Sequence, residues 1–121
     1  MRLYTIKCQK GISVDRIIFN LKQFWQIGDK TVELYEEIKS GRKTIEYRDC
    51  THFWTKRLCG KIISVYGPQD LTEYLKVHRA WFVVGYPKDS LPRLEADIIG
   101  LRCNNAMQLE ISFINVKEVV A

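Results

Sequence analysis

The hydrophobic pattern of the chain changes its period at Gly41, and this change constrains the fold more than any other feature. Before it, Leu34, Tyr35 and Ile38 share one side of a helix because they lie three and four positions apart. Gly41 itself can adopt the left-handed conformation that ends a helix. After it, apolar and polar residues alternate over residues 43–48, which is typical of a strand. The sequence therefore predicts a helix that ends at Gly41 and leads directly into a strand.

Further elements are predicted on both sides of this junction. Ser13 is a suitable N-cap for a helix over residues 14–25. Gly28-Asp29 would end this first helix and provide the N-cap of the second, which is the helix that ends at Gly41. The apolar residues of the first helix would be Val14, Ile17, Ile18, Leu21, Phe24 and Trp25. A short helix is predicted between Thr51 and Gly60. Strands are predicted over residues 2–8, 61–66, 80–86, 98–102 and 108–116.

The order of these elements indicates an α+β fold in one domain. Strands outnumber helices and do not alternate regularly with them, which favours a curved or closed mixed sheet over a doubly wound one. The 121 residues are the usual size of one domain, and the chain contains no low-complexity linker. We therefore treat residues 1–121 as a single domain.

The charge of the chain favours polyanionic partners. The formal net charge is +5 and the pI is about 9.1, values that suit nucleic acid but equally suit a basic surface that only keeps the protein in solution. The sequence has no apolar run of about 20 residues, and its first ten residues lack the apolar stretch of a signal peptide. We expect a cytoplasmic protein without a membrane partner.

The four cysteines, Cys8, Cys50, Cys59 and Cys103, are most simply interpreted as reduced thiols. Cys50 and His52, followed by Cys59, resemble three metal ligands only superficially, because their spacing matches no standard zinc site. We therefore predict no metal and no cofactor.

The strand after Gly41 carries the residues that are best suited to chemistry. Because side chains alternate along a strand, Thr44, Glu46 and Arg48 should share one face. If Ile45 and Tyr47 face the core, we expect the carboxylate and the guanidinium to point outward together.

Lys43 lies where the helix meets this strand, and its long side chain can bend over the same cleft. An amine beside the guanidinium of Arg48 can hold a phosphate or a carbonyl oxygen. A partly desolvated lysine can also act as a general base or nucleophile, with Glu46 moving protons. Alternatively, the cluster is a surface ion pair that contributes roughly 0–1 kcal/mol to stability.

Residues 41–48, GRKTIEYR, closely resemble the Gly-x-Lys-x-x-Glu-x-Arg signature of the ASCH family, relatives of the PUA RNA-binding domain. The stretches ELYEEIKS, FWTKRL and WFVVGYPKD also resemble ASCH-type proteins, so that the likeness begins near residue 32 and leaves residues 1–31 as an elaboration. The resemblance implies a small PUA-like mixed β-barrel with two or three flanking helices. It also implies a cleft, lined by the signature residues, that binds RNA or a nucleotide-like ligand.

Some ASCH-type proteins are hydrolases, either ribonucleases or amidohydrolases that act on N4-acetylcytidine. The resemblance aligns the catalytic lysine of the amidohydrolases with Lys43, and it aligns their catalytic threonine with Glu46. A carboxylate does not replace a hydroxyl nucleophile, so this departure favours binding over deacetylation. If the chain is an enzyme, we expect Lys43 and Glu46 to be its acid/base pair.

Aromatic and basic residues follow the signature and suit single-stranded RNA, because bases stack on aromatic rings while cations contact phosphates. The residues predicted to contact RNA or a ligand are Lys43, Thr44, Glu46, Arg48, Trp54, Lys56, Arg57 and Tyr86. In the alternative interpretation, Phe53, Trp54 and Leu58 only close the end of the barrel. A third hypothesis is that the basic cleft holds an acidic peptide.

Overall fold

A computed structural model describes residues 16–85 and 91–120 of the chain, so the strand predicted over residues 2–8 and the cap at Ser13 lie outside the described residues. The strands are β1 (Arg16–Leu21), β2 (Phe24–Ile27), β3 (Lys30–Glu33), β4 (Ile45–Asp49), β5 (Gln69–Asp70), β6 (Arg79–Val84), β7 (Arg93–Cys103) and β8 (Gln108–Val119). The helices are α1 (Leu34–Lys39) and α2 (His52–Cys59), and a 3-10 turn covers Thr72–Tyr74.

Six strands form one mixed sheet in the order β1-β6-β7-β8-β4, with β5 paired to β7. Strand β1 runs parallel to β6, while the other pairs are antiparallel. The register of β7 against β8 shifts twice, between Glu95 and Asp97 and between Ile98 and Gly100, and such irregularities bend long strands. The sheet curls into a half-barrel whose two edge strands are β1 and β4. The α+β class and the curved mixed sheet are confirmed.

The core fills the concave side of this sheet. Three phenylalanines from three strands form its centre: the rings of Phe19 and Phe82 stack at 5.5 Å between centroids, and those of Phe82 and Phe113 lie 4.9 Å apart. Ile38 of α1 and Leu58 of α2 are completely buried in the same core. Both helices are therefore held by apolar contacts that are non-local in sequence.

Most of the predicted elements are present. Helix α1 ends before Gly41, which has a φ of +85°, and β4 follows as expected. The side chain of Thr51 caps α2, and Gly60 ends it with a φ of +72°. The strands predicted over residues 98–102 and 108–116 lie within the longer β7 and β8.

The helix predicted over residues 14–25 is wrong, because the described part of this segment forms β1 and β2. Ile17, Phe19 and Leu21 alternate inward along β1, and Phe19 is completely buried although it lies off the predicted helical stripe. The spacing of the apolar residues fits both periods, and the parallel pairing with β6 selects the extended form.

The strand predicted over residues 61–66 is also wrong, since no ladder forms there. The side chains still alternate between the core and solvent: Ile63 and Val65 pack against the core, whereas Ile62 and Tyr66 are exposed. The pattern therefore predicted the side-chain directions but not the pairing.

No helix in residues 16–85 or 91–120 has the length and apolar character needed to cross a bilayer.

Candidate functional site

Strand β4 faces the core with the side opposite to the one predicted. Glu46 is only 6% exposed, whereas Tyr47 is 46% exposed. The expectation that Glu46 and Arg48 point outward, with Tyr47 in the core, is therefore wrong. Burial of a carboxylate is tolerated when its oxygens are paired, and both oxygens of Glu46 have basic partners. Hydrophobicity alone predicted the orientation incorrectly because it ignores this pairing.

Glu46 joins the other two charged residues of the signature. Its Oε1 lies 3.4 Å from Nζ of Lys43, and its Oε2 lies 2.7 Å from a terminal nitrogen of Arg48 and 2.9 Å from Nε. The Lys43 amine also donates a hydrogen bond to the carbonyl oxygen of Ile45. The three side chains carry a net charge of +1 and are ordered by one nearly buried carboxylate.

A cleft of about 670 Å³ opens beside Lys43 and Glu46. One part of its lining is apolar and comes from β2, β3 and the start of α1: Trp25, Ile27, Val32 and Leu34. The other part follows α1 into β4 and β8: Glu37, Arg42, Lys43, Thr44, Ile45, Glu46, Tyr47 and Gln108. An apolar wall that faces a few polar groups is typical of a small-molecule site, and the volume suits one ligand of nucleotide size.

Trp25 is the most prominent of the lining residues that are absent from the predicted contact set. A helix over residues 14–25 would put it on the core side, but it is 48% exposed on the β2–β3 hairpin, and Nζ of Lys22 lies 5.2 Å from its ring centroid. A sequence signal for this hairpin exists. Gly28 and Asp29 separate two four-residue strands by two residues, which is a recognised hairpin spacing, and Gly28 has a φ of +62°.

Arg48 lies beside this cleft but not in its lining. Its guanidinium carbon is 5.0 Å from the ring centroid of Trp54 and 5.1 Å from that of Phe19. A terminal nitrogen donates a hydrogen bond of 3.2 Å to the carbonyl oxygen of Asn20 on β1. Arg48 thus positions Glu46 and connects the two edge strands.

The remaining predicted residues do not line the cleft. Trp54 is half-buried and stacks on Phe19 at 5.6 Å, so it packs against the core while it supports Arg48. Lys56 and Arg57 are exposed on α2, and the Arg57 guanidinium lies 3.6 Å from the ring centroid of Phe53. Tyr86 lies outside the described residues.

The cysteines that are described do not form a metal centre. Within residues 16–85 and 91–120, no three His, Cys, Asp or Glu side chains converge in a way that could hold an ion. Burial and the neighbouring Cys103 raise the pKa of the Cys50 thiol to about 11, and burial raises the pKa of Cys59. Burial accordingly disfavours the thiolate form that acts as a nucleophile or metal ligand.

Comparisons of this chain with protein-family models, with curated proteins and with solved structures find no match. Membership of the ASCH family stays a prediction from residues 41–48 and the stretches around them.

Proposed function

We propose that this chain is an ASCH-type, PUA-like module that binds RNA or a modified nucleotide through the cleft beside β4. The observation that carries the proposal is the amine of Lys43, held 3.4 Å from Glu46 in the lining of a cleft of about 670 Å³ that Trp25 and Tyr47 also line. A fixed cation beside aromatic rings suits a ligand that combines a base with a phosphate. The net charge of +5 also favours the approach of a polyanion.

The contacts divide the roles of the signature residues. Lys43 has three donors, and its contacts with the Ile45 carbonyl and Glu46 leave one for a phosphate or carbonyl oxygen of the ligand. Both oxygens of Glu46 are engaged, so it orients Lys43 and Arg48 instead of reading a base amine. Trp25 and Tyr47 offer exposed rings on which a base can stack.

The test is a salt titration of the affinity for single-stranded RNA with the variant Lys43→Gln. Loss of one phosphate contact should weaken binding and reduce the salt slope by about 1. Lys76→Gln is the matched control, because it removes the same charge from an exposed site outside the cleft. Equal affinities of the two variants would show that Lys43 contributes only general charge, and the proposal would be wrong.

The contact between Lys43 and Glu46 also supports a second candidate, an RNA-processing hydrolase in which these residues transfer protons. Labelled RNA and N4-acetylcytidine are the substrates that distinguish the two functions. An enzyme should cleave or deacetylate one of them and lose turnover in Glu46→Gln, which keeps the shape of the side chain. A binding module should leave both substrates unchanged.

A further inference from the structure

Three arginines come together on the convex face of the sheet, outside the cleft. Arg16 on β1 and Arg79 on β6 lie directly opposite each other in the parallel pair. Arg93 belongs to β7, the next strand, and lies on the same face as Trp81. The inward positions of these strands are filled by core residues such as Phe82 and Leu94, so the arginines occupy the face away from the core.

Trp81 is the platform on which two of the guanidinium groups rest. The guanidinium carbon of Arg16 lies 4.2 Å from the ring centroid, and that of Arg93 lies 3.7 Å from it. Contacts of this kind are attractive and restrict a flexible side chain. Both guanidinium groups are therefore held in contact with the same ring.

Only part of this positive charge is neutralised. The nearly buried carboxylate of Glu95 accepts hydrogen bonds from Arg79 at 3.1 Å and from Arg93 at 2.8 Å, one on each oxygen. Asp97 lies 3.6 Å from Nε of Arg79. Both carboxylates are thus directed toward Arg79 and Arg93.

Arg16 has no such partner among the described residues. Its Nε is buried without a hydrogen-bond acceptor, and no carboxylate of residues 16–85 or 91–120 forms an ion pair with it. A buried donor that lacks an acceptor is unfavourable, as are like charges directly opposite each other on paired strands. An anion that contacts the terminal nitrogens of Arg16 would offset the repulsion between Arg16 and Arg79.

We propose that Arg16 and Arg93 form a binding site for a phosphoryl group on this face, with Trp81 as its support. The planar donors of arginine match the oxygens of a phosphate, and Arg93 uses only Nε on Glu95. The phosphoryl group can belong to a small phosphate compound or to the backbone of RNA. The site is independent of the cleft and would exist even if the cleft had another function.

The test follows the full chain by NMR during a titration with pyrophosphate at constant ionic strength. The indole N–H signal of Trp81 and the Nε–H signals of Arg16 and Arg93 should shift and saturate, and the melting temperature should rise above that in sodium chloride. Arg16→Gln should abolish both effects. Arg102→Gln, which removes an exposed arginine from the same strand β7, should preserve them.

Arg16→Lys provides a second measurement if the glutamine variant folds poorly. It keeps the positive charge but loses the planar donors, so the affinity for pyrophosphate should fall by about tenfold. Absence of any shift in the wild-type protein, or equal losses in Arg16→Gln and Arg102→Gln, would overturn the proposal.

A parallel titration with a short single-stranded RNA distinguishes the two sources of the phosphoryl group. If RNA supplies it, Arg16→Gln should weaken RNA binding by at least about threefold, and this loss should add to that of Lys43→Gln. If a small phosphate compound supplies it, pyrophosphate should still bind and Arg16→Gln should leave the RNA affinity unchanged.

Discussion

Arg48 on β4 donates a hydrogen bond of 3.2 Å to the carbonyl oxygen of Asn20 on β1 and thereby joins the two edge strands of the half-barrel. The same guanidinium contacts Glu46 at 2.7 Å and the rings of Phe19 and Trp54. One side chain of the signature therefore bridges the two edge strands and positions the carboxylate of the candidate site. This arrangement gives Arg48 a structural role that is separate from ligand binding.

Replacement of this arginine should destabilise the fold. In Arg48→Ala, Glu46 stays nearly buried but loses its closest partner, so the free energy of unfolding should fall by about 2–3 kcal/mol. Urea denaturation followed by circular dichroism measures this change. Arg102→Ala is the control, because its exposed ion pair with Glu110 at 3.6 Å should contribute less than about 1 kcal/mol. Equal effects of the two variants would show that the contacts of Arg48 stabilise the fold no more than an exposed ion pair does.

Trp25 should contribute to ligand binding more than to stability. Because the ring is about half exposed in the cleft, Trp25→Ala should change the free energy of unfolding by less than about 0.5 kcal/mol but should remove a stacking contact worth about 1–3 kcal/mol. Fluorescence anisotropy with labelled single-stranded RNA measures the affinity. Phe24→Ala is a close control, since Phe24 is an adjacent exposed ring that does not line the cleft. Similar losses in both variants would exclude a specific role for Trp25.

Much of the path from α1 to α2 could be predicted from the sequence because its signals are local. The positive φ of Gly41 and of Gly60 follows from the need to end a helix, and the Thr51 cap follows from side-chain chemistry. The helix that leads into β4 therefore positions Lys43 as predicted.

The orientation of β4 could not be predicted in the same way. It depends on Arg48 and Lys43, which satisfy the carboxylate of Glu46, and on Asn20, which lies 28 residues before Arg48. Lys43 and Arg48 lie close to Glu46 in sequence, but the contact of Arg48 with Asn20 forms only when the curled sheet brings β1 near β4. Alternation predicts which residues share a face, but pairing decides which face is buried.

The hairpin of Trp25 was missed for a different reason, because two local signals competed. The apolar residues between Ile17 and Trp25 fit a helical period, whereas Gly28-Asp29 fits a two-residue turn between strands. The pairing of Ile27 with Lys30 and the long-range pairing of β1 with β6 resolve the conflict in favour of strands.

Helix α2 should depend on its N-cap. The hydroxyl of Thr51 accepts a hydrogen bond of 3.4 Å from the backbone N–H of Trp54, the residue that supports Arg48. Thr51→Ala should lower the free energy of unfolding by about 1 kcal/mol, whereas Thr51→Ser should stay close to the wild type because it keeps the oxygen. Urea denaturation tests the difference, and equal stabilities of the two variants would mean that the cap contributes nothing.

The contact between α1 and the end of β8 should make stability depend on pH in the acid range. Hydrogen bonds from Lys39 and then from Tyr35 lower the pKa of Glu118 below its ordinary value of 4.5. Because the folded-state pKa is the lower one, the stabilisation is complete above the unfolded-state value and is lost as the pH falls through the folded-state value. Glu118→Gln should therefore be less stable than the wild type near pH 7, and the difference should shrink below pH 4.5. Thermal unfolding from pH 7 to pH 3 measures this, with Glu73→Gln as a control that removes an exposed carboxylate from the 3-10 turn. A difference between wild type and Glu118→Gln that does not change over this range would show that Glu118 does not stabilise the fold through its charge.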